Sequence, residues 1–172
     1  EDGSQHLHLQ GTGIRDFSII TSKRWETHEA DACGVRVRVH AFPEHRFYAK
    51  QALQSAVESI ERYTKLIGPY PHTELKVVET YFAWNGNETS GMVLIDHRVF
   101  DAPKFGYLYV DHLISHEVLH QWFYATVGTD GYNETWMDEA LVSHLTECLI
   151  HEKYGEKINL FDPPKYFRWL PN

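Results

Sequence analysis

An α+β fold, a small mixed sheet followed by helices, is predicted by three observations in the 172-residue sequence. Valines alternate with charged residues over 34–41, as in a strand with one buried face. Apolar residues recur every three or four positions over 46–67, as in an amphipathic helix. Strand-like stretches then precede helical ones with no regular alternation, which argues against a doubly wound parallel sheet.

Taken in order, residues 1–13 are polar and glycine-punctuated, and they predict a tail or a connection from an upstream domain. Residues 14–172 are expected to form one domain. Residues 15–21 are rich in strand formers and predict a first strand, with 22–33 as a polar connection to the strand at 34–41. The arginines of that second strand, Arg36 and Arg38, fall on the face opposite its valines and are read as solvated. The helix over 46–67 is closed by Gly68-Pro69-Tyr70-Pro71, because glycine accepts a left-handed cap and proline cannot continue the ladder. Residues 75–82 predict a strand, Asn85-Gly86-Asn87 a turn, and 91–95 a short buried strand. A helix is expected over 107–125, a turn over 128–131 and a second helix from 134 or 135 to 154. Residues 161–172 hold four aromatics and three prolines and predict no element.

Composition limits what such a domain does. A net charge of −8 disfavours nucleic acid and anionic membrane as partners, and no apolar run approaches a membrane span. Cys33 and Cys148 are too few for a disulfide framework and read as buried free thiols, with one bridge left open. Asn87-Glu88-Thr89 and Asn133-Glu134-Thr135 match the N-glycosylation pattern, a short motif that recurs by chance.

Chemistry concentrates at His116-Glu117-Val118-Leu119-His120. On a helix, residues four apart stack on one face, so both imidazoles reach one ion while Glu117 projects beside them toward a water on that ion. With 12 histidines in the chain, an accidental match is expected roughly 0.07 times. A catalytic zinc shell needs three protein ligands, and Glu139 in Trp136-Met137-Asp138-Glu139, eighteen residues on, is the candidate third. An ordinary amphipathic helix with satisfied histidines is the competing account of the same residues. Around the motif, His112 is expected to orient or lie on the surface, and His144 to pack. Asp111 and Asp138 are candidate acceptors for ligand N–H groups, and Trp122, Phe123 and Tyr124 are expected in the core.

Those ligands and their spacing resemble the gluzincin metallopeptidases of the membrane-alanyl-aminopeptidase and leukotriene-hydrolase family, where Glu usually sits in Trp-x-Asn-Glu; Asp138 replaces that Asn here. The likeness extends upstream through residues 63–71 and 75–79 to Arg15-Asp16-Phe17, so it covers about residues 14–154. It implies a thermolysin-like catalytic domain and a zinc cofactor held by His116, His120 and Glu139. Glu117 is then the catalytic base, and the substrate a peptide with a free N-terminus.

The family's Gly-Ala-Met-Glu-Asn segment, whose Glu holds the substrate's amine, falls on residues 85–89, where only Glu88 matches. The family's oxyanion-binding tyrosine would lie beyond Asn172, and Tyr166 is too close to Glu139 to replace it. The resemblance therefore implies a catalytic domain truncated at its C-terminal end, weak or inactive alone, with further domains in the same protein. A zinc endopeptidase, if Glu88 faces solvent, and a zinc-containing non-catalytic interaction domain are the alternatives. Neither compartment nor side-chain preference is legible.

Overall fold

In the computed structural model, which describes residues 6–82 and 84–156, five strands form one mixed sheet, in the order β1-β2-β3-β5-β4. β1 (Glu26–Ala32) and β2 (Val35–Ala41) make an antiparallel hairpin. Its two-residue turn needs positive φ at both positions, which Cys33 (51°) and Gly34 (80°) supply. β2 runs parallel to β3 (Glu74–Thr80), and β3 parallel to β5 (Met92–Asp96); β4 (Gly86–Thr89) returns antiparallel on the outer side of β5.

Parallel neighbours require a crossover, and the long amphipathic helix α1 (Arg46–Leu66) provides it between β2 and β3. Its Ala49, Ala52, Ala56, Ile60 and Tyr63 are buried against the valines of β2 and against α3 (Tyr107–Leu119). Small residues on that stripe bring α1 and α3 close, and Ser59 Oγ donates to Ser115 Oγ at 3.0 Å across the contact. The helix ends as expected at Gly68, whose φ of 144° suits glycine.

A short helix α2 (His97–Phe100) is capped by Asp96, whose Oδ1 accepts from the Arg98 N–H at 3.0 Å while Oδ2 accepts from the Phe82 N–H at 3.1 Å. At the far end of the chain, α4 (Trp136–Tyr154) packs Val142, Leu149 and Ile150 into the core beside α3. Lys153 Nζ and the Tyr154 hydroxyl both donate to Asp111 Oδ2, at 2.7 and 2.6 Å, and Lys153 also reaches Glu58 of α1 at 2.6 Å. No described helix is long and apolar enough to cross a membrane.

Four expectations are corrected. Residues 15–21 form no strand: Phe17 and Ile19 stand exposed, and side-chain bonds rather than a ladder hold the segment. The first strand lies instead at 26–32, within the expected connection. It is masked in sequence because its outward Glu29 and Asp31 pair with Arg36 and Arg38, so charge rather than apolar alternation marks this edge. Gly86 and Asn87 belong to β4, not to a turn. The motif helix stops at Leu119 rather than near 125, and the chain turns over 120–127 through bonds such as Ala125 N–H to the His120 carbonyl at 3.0 Å. The cysteines are free, but Cys33 is exposed and Cys148 half-buried. Residues 161–172, Tyr166 among them, lie outside the described residues.

Candidate metal centre

His116 and His120 occupy successive turns at the end of α3, and Glu139 comes from the first turn of α4. His116 Nε2 lies 3.2 Å from Glu139 Oε2, His120 Nε2 3.6 Å from Glu139 Oε1, and the two Nε2 atoms 3.1 Å apart. A tetrahedral ion bound at 2.0–2.1 Å would space its ligand atoms about 3.3 Å apart, so this triangle has the size such an ion requires. Among the described residues, this is the group of three His, Cys, Asp or Glu with donor atoms close enough to share an ion.

The orientation of His120 fits the same use. Its Nδ1–H donates to the Phe123 carbonyl at 3.0 Å, which leaves the Nε2 lone pair directed at the triangle. Phe123 can present that carbonyl because the chain has already left the helix and reverses at Tyr124, whose φ is 131°. His116 Nδ1 is buried without a protein partner among the described residues.

Glu117 points from α3 toward β4, 6% exposed. Burial pushes its carboxyl up to about 8; the charges of Glu88 and Glu139 add to this, and His120 opposes it. Burial would lower His120, but its bond to Glu139 and the charges of Glu88 and Glu117 outweigh that and push it up to about 9. Glu139 is held well below the carboxylate range by its contacts with His116 and His120. Three acids against two imidazoles make a site short of positive charge, and a bound dication would reverse the shifts of His120 and Glu117.

β4 forms the facing wall. A Cβ on Gly86 would stand 2.2 Å from Glu117 Oε1, so the carboxylate lies directly on this backbone. Glu88, two residues on, shares that face of the strand, and its charge is felt at Glu117, His120 and Tyr124. The structure thus brings together all five predicted site residues.

The surrounding residues sort differently from expectation. His112 stacks beneath His116, rings 6.1 Å apart, with its Nε2 3.5 Å from Glu147; burial, then His116, lowers it to about 4. His144 does not pack: it is exposed, 3.9 Å from Cys148. Neither aspartate receives an imidazole N–H from His116 or His120, although Asp138 does meet the backbone of the third candidate ligand. Asp111 is taken by Lys153 and Tyr154, and Asp138 by the Thr129 hydroxyl at 3.0 Å and the Glu139 N–H at 2.9 Å. Trp122 is core, donating to the Gly68 carbonyl at 3.1 Å, whereas Phe123 and Tyr124 are half-buried. Sequence reading missed Gly86 and the Phe123 carbonyl. A glycine two residues before Glu88 was the available signal for the first; the second, a backbone group, leaves none.

A buried carboxyl thus stands beside a two-histidine, one-glutamate triangle that could hold a metal ion. The model of the peptidase family M1 domain matches residues 48–166, and the chain belongs to that family. It is similar to endoplasmic reticulum aminopeptidase 2 of Homo sapiens, 27% identical over 132 residues, covering 72% of this chain and 14% of the relative. Endoplasmic reticulum aminopeptidase 1 of Homo sapiens is 29% identical over 120 residues, 65% of this chain and 13% of the relative. The mouse aminopeptidase RNPEPL1 is 27% identical over 158 residues, 90% of this chain and 21% of the relative. The chain thus spans about a seventh of the length of the first two relatives.

Proposed function

We propose that the chain is the zinc-binding portion of a thermolysin-like catalytic domain in a peptidase that removes N-terminal residues from peptides. The observation that carries this reading is the approach of His116 Nε2 to His120 Nε2 at 3.1 Å, and of each to one of the two Glu139 carboxylate oxygens, at 3.2 and 3.6 Å. His116, His120 and Glu139 would hold the ion. Bound there, zinc lowers the pKa of a coordinated water toward 7 and polarises a carbonyl.

The chain's own residues divide the remaining work. Glu117, lying on the Gly86 backbone, accepts the proton of the attacking water and delivers it to the leaving amine. Glu88, on the same wall, would pair with the substrate's ammonium group. That pairing restricts cleavage to the first peptide bond, so exopeptidase character rests on Glu88 and hydrolysis on the two helices. The similarity to proteins named as aminopeptidases supports the same conclusion.

Assay of the full-length protein on matched peptides, with free and with acetylated N-termini, tests the proposal. Cleavage confined to free amines, and lost in Glu88→Gln, is the expected result. Equal cleavage of both peptides would make the protein an endopeptidase, and stoichiometric zinc without cleavage would make it an interaction domain.

A further inference from the structure

Arg15 and Asp16 precede the sheet and stand a hundred residues from the metal motif in sequence, yet they contact the connection between the two helices that carry its ligands. Arg15 Nη1 donates to the Tyr124 carbonyl at 3.1 Å and Nη2 to the Thr129 carbonyl at 2.9 Å, with the guanidinium 4.5 Å over the Tyr124 ring. Asp16 Oδ2 accepts from the Tyr124 hydroxyl at 3.0 Å, and its Oδ1 from the Ser90 N–H at 2.7 Å, while the Arg15 N–H donates to Ser90 Oγ at 3.0 Å. Gly128 leaves room for the guanidinium: a Cβ there would lie 2.9 Å from Nη1.

The contacts at Tyr124 and Thr129 lead on, each through one intervening residue, to a ligand. Tyr124 is held at a φ of 131°, a conformation that persists only when surroundings enforce it. That backbone directs the Phe123 carbonyl at His120 Nδ1, fixing which imidazole nitrogen faces the triangle. Thr129, gripped at its carbonyl, donates through Oγ1 to Asp138, whose other oxygen accepts the Glu139 N–H.

We propose that Arg15 and Asp16 are positioning residues for the metal ligands: one arm sets the orientation of His120 through Tyr124 and Phe123, the other the placement of Glu139 through Thr129 and Asp138. The inference rests on the zinc reading of the triangle. It assigns a role to a segment that forms no strand and that touches none of the three ligands directly.

Zinc affinity of the chain, measured by competition with a chromophoric chelator, tests it alongside melting temperatures with and without zinc. Arg15→Ala and Tyr124→Phe are each expected to weaken zinc binding about 10- to 100-fold, the usual consequence of losing a residue that orients a ligand. Arg15→Lys, which keeps the charge but cannot span two carbonyls, is expected to remain weakened. In every variant the metal-free melt stays near wild type, and the rise on adding zinc shrinks. Affinities within twofold of wild type in all three, or equal losses in the metal-free and zinc-loaded melts, would overturn the inference and leave the zinc reading standing. A wild-type chain that takes up no zinc overturns both.

Discussion

In the proposed mechanism, turnover depends on Glu117 and metal binding does not. Glu117→Gln preserves size and leaves His116, His120 and Glu139 in place, so it is expected to retain stoichiometric zinc and lose hydrolysis by about 10²- to 10⁴-fold. Elemental analysis and a peptide assay on the same preparation check both halves; retained turnover would sink the mechanism. His116→Ala removes one corner of the triangle and is expected to abolish stoichiometric zinc. The grouping of His116, His120 and Glu139 was legible in sequence because an i, i+4 histidine pair and an eighteen-residue interval are local patterns. Gly86 was not, since its significance is a missing Cβ facing a side chain from another element. Nor were the true partners of Asp111 and Asp138, which depend on how α4 lies on α3.

At the scale of elements, α1 joins the sheet to the motif helix. Ile60 is fully buried between them, and Ile60→Ala is expected to cost about 2–5 kcal/mol, read as a lower denaturation midpoint in urea. The connection between β5 and α2 sets an acid limit. Burial alone would raise the Asp96 carboxyl, but the Arg98 guanidinium and the N–H groups of Arg98 and Phe82 hold it below its ordinary value. A carboxylate depressed in the folded state stabilises fully above its unfolded pKa of about 3.9 and loses that contribution as pH falls through the folded value. Asp96→Asn is therefore expected to lower stability at neutral pH and flatten its decline below about pH 4. An unchanged acid arm in denaturation against pH would contradict this. Helices α1 and α4 were read well because a pattern sustained over about twenty residues is a strong signal. Strands β1 and β4 were not, because a charged edge and a four-residue strand carry almost no apolar pattern.

For the molecule as a whole, the three candidate ligands lie on two helices, so an ion would fasten the start of α4 to the end of α3. Chelation is expected to lower the melting temperature; at free zinc of about 100 times the dissociation constant the linked stabilisation is about 2.7 kcal/mol. Hydrogen exchange should quicken in residues 120–141 and change little in β2, β3 and α1. Identical melts with and without chelator would contradict the bridge. The mixed α/β character and the helix-borne site were foreseen, whereas the sheet order was not. That order depends on β3 pairing with β5 past an intervening strand, a choice made by packing rather than by any residue near the turn.

β4 has a single sheet neighbour, and it carries the wall opposite the metal triangle. The two halves of the site therefore tolerate change unequally. An altered residue in the paired helices disturbs the core and the ligands at once, whereas one in β4 disturbs a single ladder and whatever occupies the cleft. Residues 85–89 keep one of five family positions, while the helices keep every ligand. If the proposed function holds, a change in the outer strand would alter what the cleft accepts and leave the three candidate ligands in place.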